Sequence, residues 1–470
     1  MKMEFKHVPS RENLVALFNS AKNTISTCDP AFMGGVREKG IATFEQLGFP
    51  TKQLEEWKST SLADSLKTEY TFYLSPHDKN VKVEQIFRCE IHNFGTYLYT
   101  QLNGWYYYED APLTKLPDGV IIGSFAAAIK QYPELVEKHY GRYADINTNG
   151  LIALNTAFAQ DGMFIYVPDG VKVEKPLQMV NVVDTPDSVF IQPRNLVILG
   201  KNSKLTLVHC DDSIRHERSF INAVTEVFCD EGSEIDYYKL QNKDDQSTVI
   251  NNNFFHQKDN SIITTNTLTL NGGMIRNETR VAIDGSGCLA NVYGLYLTDG
   301  KQHTDNQVYI DHIKPGSSSF ELFKGILDDD ASAVFSGHVL VRRDAQKTVA
   351  MQNNRNILLT DTAIINTQPF LEIYADDVKC SHGATVGQLD PDAMFYIKSR
   401  GICDRNAKML LLYAFAAEVA NKIQIEVLRE RIDSMIVKRL KGELSICDAC
   451  NLHCKDNDAI TFEIDMSKIQ

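Results

Sequence analysis

Residues 320–359 read FELFKGILDDDASAVFSGHVLVRRDAQKTVAMQNNRNILL, and residues 371–385 read LEIYADDVKCSHGAT. Apolar runs such as Val339–Val341, Ile357–Leu359 and Leu371–Tyr374 are short, and Asp, Asn, Gly or Pro closes each one. Strands read this way when one face is buried and the other is wet. The closing residues supply the backbone angles and local hydrogen bonds that end them. Between two runs lies Gln352-Asn353-Asn354-Arg355-Asn356. Amide side chains at this density can bond to copies of themselves on neighbouring coils of stacked β-structure. Cys380 and His382 stand two residues apart, which puts a thiol and an imidazole on one face of a strand. After Ser399-Arg400-Gly401-Ile402 the pattern turns helical.

The strand pattern extends backward. From 151 to 395 no convincing helix is visible. A polar turn with a small residue precedes an apolar run near Ser203, Ser233, Ser261, Ser286, Ser318 and Thr362, with first steps of 30, 28, 25 and 32 residues. A loose period without helices fits a β-solenoid, in which each coil covers the open face of the next. The repeat by itself does not separate a solenoid from a large jelly roll.

Residues 1–150 read as a mixed, largely helical region. Ser10 is placed to cap a helix carrying Leu14, Leu17 and Phe18, and Thr51 to cap one carrying Leu54–Trp57. Asn103-Gly104, between Tyr97–Thr100 and Trp105–Tyr108, is a hairpin signal. The aromatics around Trp105 read as a small sheet packed on helices. A helix over Phe125–Tyr140 stops at Gly141. Residues 396–470 form a C-terminal helical region with a cysteine-rich tail. Asp404 is its expected cap, Leu411, Phe415, Val419 and Ile423 form one apolar stripe, and Leu428, Ile432, Met435, Ile436 and Leu440 form a second that Gly442 ends. Both stripes are expected to pack on the end of the β-rod.

The chain has 470 residues and a net charge of −13. That length predicts two or three domains, and that charge disfavours nucleic acid and anionic membranes as partners. No apolar run approaches the roughly 20 residues that span a bilayer. Met1–Lys6 lacks the apolar core of a signal peptide, and ten cysteines, mostly scattered, fit a reducing cytoplasm. There is no G-x-x-x-x-G-K-[ST], G-x-G-x-x-G, H-E-x-x-H or G-x-S-x-G, so the chain is not expected to be an enzyme.

Cys380 and His382 are good ligand types for iron or zinc. Two donors at i and i+2 do not complete a tetrahedral site, so others must come from elsewhere, including another chain. The thiol alone also reads as a small buried hydrophobe. Cys447, Cys450, His453 and Cys454 have metal-ligand spacing, and read equally as a redox-sensitive thiol group. The triplet Asp328–Asp330 reads as a solvated turn. It also fits a calcium loop, or with Arg342 or Arg343 a polysaccharide-cleaving site.

The strings FKGILDDDASAVFSG (323–337), DAQKT (344–348), NNRNILLTD (353–361), EIYADDVKCSHGAT (372–385) and SRGI (399–402) resemble the SufB/SufD family of iron–sulfur cluster assembly scaffolds, its SufD branch above all. GFPTKQLEEWKST (48–60) and VPDGVKVEKP (167–176) extend the resemblance toward the N-terminus. It implies a right-handed parallel β-helix for 151–395. It implies that His382, beside Cys380, faces a SufB-like paralogue where a transient iron–sulfur cluster forms, with no tightly bound cofactor. The helical region containing Arg400, Gly401, Phe415 and Glu418 is then the dock for a SufC-like ABC ATPase, and an isolated chain is expected to form a homodimer. The alternatives are a SufB-like subunit, with Cys288 as a sulfur acceptor, and a carbohydrate-active β-helix enzyme. The cysteines at 447–454 form no part of the resemblance.

Overall fold

The computed structural model describes residues 4–26, 29–76, 95–107, 111–213 and 217–442. Its core is a parallel β-helix of about eight coils. The chain alternates between two sheets, giving each coil two strands. One described sheet runs from Ile364–Ile373 back through Ser332–Val341, His303–His312 and Met274–Ile283. The other runs from Lys379–Gly387 back through Val349–Leu358, Ser318–Leu327 and Leu289–Thr298. Lateral partners such as Lys204, Glu234, Ile262, Leu289, Ser318, Val349 and Lys379 lie 27 to 31 residues apart in sequence.

A column of small polar residues fixes the corners. Ser203, Ser233 and Ser261 are buried. Each hydroxyl donates to the carbonyl three residues back, on Gly200, Asp230 and Lys258, at 2.7 Å. The next members are Cys288, Ser317 and Thr348. Ser286 and Ser318, read from sequence as repeat positions, stand just outside the column. The uneven sequence spacing came from choosing them.

Alternate side chains from both sheets fill the interior, including Leu205, Leu207, Ile235, Tyr237, Val292, Phe323 and Phe335. A polar seam runs through it. Asn251, Asn277 and Asn306 are in register on three successive coils, and their amides bond at 3.1 and 3.2 Å. This is the amide ladder expected at 352–356, displaced to earlier coils. Asn354 and Asn356 bond instead to each other and to Thr367 and Tyr296.

At the first end the sheets continue as antiparallel hairpins. Asn103 and Gly104, with φ of 50° and 84°, join Tyr97–Leu102 to Trp105–Tyr107. Ser10 caps Arg11–Ile25 as the sequence indicates, accepting from the Asn13 amide. Thr51 begins no helix beyond the single turn Glu55–Trp57. The helix foreseen over 125–140 is two helices, Phe125–Gln131 and Pro133–His139, split at Pro133. Gly150–Phe158, inside the stretch read as strand only, is a helix with every residue buried.

The C-terminal helices Asp404–Ala420 and Glu426–Leu440 do not cover the end of the rod. They lie along the outer face of the second sheet, where Leu412, Ala416, Val419, Ile423, Leu428, Ile432 and Ile436 meet Val208, Tyr238, Leu240, Leu268 and Leu295. The first buried stripe is thus Leu412/Ala416/Val419, one residue on from Leu411/Phe415. Cys403, not Asp404, holds the cap position. Arg439 clamps the far helix with bonds to the Asp299 carboxylate at 2.5 Å and the Leu270 carbonyl at 2.6 Å. No described helix is long and apolar enough to cross a membrane.

Candidate functional site

Because those helices run along the flank, the last coil is left uncovered. Most residues of Ser332–Val341 are buried, whereas no residue of Ile364–Ile373 or Lys379–Gly387 is fully buried. Both strands are the last in their sheets, so each presents an unpaired backbone edge. Such edges are templates for pairing with another chain. Exposed large apolar side chains gather here: Ile364, Phe370, Ile373, Tyr374, Val386, Phe395 and Tyr396. They lie on or beside the last strands and on the helix that follows them.

Cys380 and His382 lie on the last strand with inward parity, in register with Ala350 and Gln352 of the coil beneath. Cys380 is half-buried against the small apolar group around Val339, Val341 and Ala350. That burial pushes its thiol pKa up, so the resting sulfur is a thiol. His382 is exposed at the mouth. Among the described residues no group of three or more His, Cys, Asp or Glu converges to hold a metal ion. The pair thus offers two donor types at the exposed mouth, with no third beside them among the described residues.

Behind His382 the floor of the mouth is polar. Gln352 is 1% exposed and its Nε2 donates to Glu321 Oε2 at 2.9 Å. Burial pushes the Glu321 carboxyl up to about 8.

Arg400 and Gly401 form the turn between the helices Pro391–Ser399 and Asp404–Ala420, with Gly401 at φ +84°. The Arg400 guanidinium bonds to Tyr396 Oη at 2.7 Å. Phe415 and Glu418 face the β-helix. Lys324 donates to the Phe415 carbonyl at 3.0 Å, lies 4.3 Å from its ring centroid, and pairs with the Glu418 carboxylate. Arg355 Nη1 approaches the same carboxylate at 3.6 Å. Lys324, Arg355 and Thr385 are successive register partners, so Glu418 ties the helix to the two coils beneath the last strand. Sequence periodicity singled out Phe415 as apolar stripe, but this clamp depends on ladder neighbours about thirty residues away.

Cys447, Cys450, His453 and Cys454 lie outside the described residues. Asp328–Asp330 form the corner between Leu327 and Ser332, with Asp329 at φ 50°. Arg342 is engaged with Asp311 at 2.7 and 2.9 Å. Cys288 is buried in the corner column, and that burial pushes its thiol pKa up.

Two family profiles cover most of this architecture. Residues 181–415 match the SufBD core domain of the SUF iron–sulfur cluster assembly system, and residues 8–179 match the SufBD protein N-terminal region. The chain belongs to the SufBD family. An iron–sulfur cluster assembly SufBD family protein of Synechocystis is 28% identical over 87% of this chain and 91% of its own length. The iron–sulfur cluster assembly protein SufD of Bacillus subtilis is 26% identical over 88% and 95%, and that of Escherichia coli 25% over 84% and 90%. The SufBD core thus ends within the helix that carries Glu418's clamp and includes the open coil with its Cys380/His382 pair.

Proposed function

We propose that this SufBD protein is a SufD-like scaffold subunit that assembles iron–sulfur clusters without catalysing ATP hydrolysis itself. Its open end pairs with a SufB-like paralogue in the cytoplasm. The nascent cluster, as cargo, is held between His382 and donors on that partner, with Cys380 beside it. The C-terminal helices, including the turn at Arg400 and Gly401, offer a dock to a SufC-like ABC ATPase. The observation that carries the reading is that both sheets stop together, edges unpaired, at the coil that bears a two-donor half-site.

The coupling follows from the clamp. A pull on the helix Asp404–Ala420 acts through Glu418 on Lys324 and Arg355, and reaches the last strand by one ladder step. A parallel ladder cannot flex locally without losing hydrogen bonds, so the displacement reaches the mouth. His382→Ala is expected to abolish cluster assembly while the SufB-like and SufC-like subunits still co-purify. Cluster yield equal to wild type, or failure of both subunits to co-purify with the unaltered chain, would sink the reading.

A further inference from the structure

The mouth holds a feature that a pairing surface does not require: a carboxylic acid sealed one coil in from a half-satisfied amide. Val292, Glu321, Gln352 and His382 are successive members of one column across four coils. Val292 packs in the apolar interior. The next two positions turn polar, and the fourth is the imidazole at the surface. Gln352 Nε2 is committed inward to Glu321 Oε2 at 2.9 Å. Both side chains are more than nine-tenths buried, yet Gln352 Oε1 and Glu321 Oε1 have no partner among the described residues. An unpaired buried acceptor is costly, so a fold that keeps one should have a use for it.

The facing sheet makes room for this arrangement. A Cβ at Gly337 would lie 2.2 Å from Gln352 Nε2. Any other residue there would push the amide off Glu321. With Nε2 fixed inward, Gln352 Oε1 is the acceptor left for the neighbouring ladder position, about 4.8 Å along the hydrogen-bonding direction. That position is His382.

We propose that Gln352, oriented by Glu321 and given space by Gly337, is a positioning residue whose open Oε1 takes the ring N–H of His382 when that exposed ring turns onto the column, and so fixes which nitrogen keeps its lone pair. Histidines that ligate metals donate their other ring N–H in this way, which sets tautomer and ring orientation. Here the acceptor is a neutral amide, and the acid behind it orients that amide rather than the ring. This rests on the proposed role of His382, but its test does not require a cluster.

The test is histidine-selective ¹⁵N NMR of the full chain at pH 8, with His382→Ala assigning the signal. The expected result is one neutral tautomer of His382, favoured roughly 10-fold over the other. Gln352→Leu and Glu321→Ala should collapse that preference, and Glu321→Gln, which keeps an acceptor for Gln352 Nε2, should restore it. Gly337→Ala reaches the same end from the opposite sheet and serves if Gln352→Leu does not fold. Unchanged His209 and His312 signals certify the interior. An unaltered His382 tautomer in a folded Gln352→Leu or Gly337→Ala chain overturns the proposal, as does a Glu321→Gln chain that behaves like Glu321→Ala. If the tautomer responds but His382→Ala leaves cluster yield intact, the column stands and the assembly role falls.

Discussion

Two buried glutamates, one toward each end of the β-helix, sit in opposite settings. Near the first end, Glu226 is fully buried and fully used. It accepts from the amides of Gly141, Tyr143 and Ala144 at 2.8, 2.9 and 3.1 Å and pairs with Arg194, whose guanidinium lies 4.6 Å from the Tyr140 ring centroid. Inside the neighbouring coils, Lys239 meets Asp211 at 2.8 Å and His209 at 3.1 Å, and His209 bonds to Tyr237 Oη at 2.7 Å. Toward the last end, Glu321 has one hydrogen-bond partner and no counter-ion among the described residues. Toward the first end the Glu226 carboxylate is closed off within the chain. Toward the last end Glu321 Oε1 and two sheet edges are left open.

That contrast can be broken most forcefully at Glu226. Its carboxylate joins the segment after Pro133–His139 to the rod, and it neutralises Arg194, which is 0% exposed. Glu226→Ala should cost about 3–5 kcal/mol in denaturant unfolding, the penalty for leaving a buried charge uncompensated. A loss below about 1 kcal/mol would mean the first end is not held by this pair. The matching truncation at the other end, Glu321→Ala, removes a buried carboxyl with one unpartnered oxygen and should cost far less.

Buried histidines and the buried Glu321 should contribute pH dependences of opposite sign. Burial, then the charge of Lys138, holds His139 down at about 4, and burial, then Lys239, holds His209 at about 3. Unfolded histidines take a proton near pH 6.5. Between those values the unfolded chain binds more protons, so stability is full above about pH 6.5 and falls on acidification. Glu321 runs the other way. Its native carboxyl ionises at about 8 against an ordinary value of 4.5, so the native state holds the extra proton. Its contribution is full below 4.5 and is lost as pH rises through 8. Glu321→Gln should therefore be more stable than wild type at pH 9, by a few kcal/mol at most, and the two should converge near pH 4.5. Parallel stability–pH curves would show Glu321 to be solvated.

A smaller effect is expected on the flank. Arg439→Ala removes two carboxylate bonds and one carbonyl bond that pin Glu426–Leu440 to the rod. The pair is partly exposed, so about 1–2 kcal/mol is expected. Hydrogen exchange should quicken in that helix and not in the terminal coil. Quickening in both would mean that the helix supports the mouth directly.

Much of this architecture was legible because its determinants are local. Alternation in the strands, the hydroxyls at Ser203, Ser233 and Ser261, the Asn103-Gly104 hairpin and the stop at Gly442 (φ +75°) each depend on a few adjacent residues. Gly150–Phe158 was missed because a helix buried on every side has no polar face, and periodicity cannot tell it from a buried strand. The helical stripe slipped by one residue because Leu411 and Leu412 are equally apolar, and only the sheet decides which is covered. Cys380 and His382 were found through local spacing and resemblance. Glu321 and Gln352 were not, since about thirty residues separate ladder neighbours and corner lengths set the register.

The finest distinction between the ends should be almost silent in stability. Ile364 and Phe370 are 57% and 49% exposed on the last strand of the first sheet. Replacing both with Lys removes little buried area, and surface changes of this kind stay within about 0.5 kcal/mol. Lysines on an edge strand nevertheless block strand addition by charge and by the cost of dehydrating them. The doubly substituted chain should melt as wild type does and run as a monomer in sedimentation, under conditions where the proposed pairing has wild type associate with itself or with a SufB-like paralogue. The same two lysines at exposed positions on the first end, such as Leu98 and Val8, should leave association untouched. If association survives lysines on the last strand, the open coil is not the pairing surface, and the asymmetry between the ends loses its functional meaning.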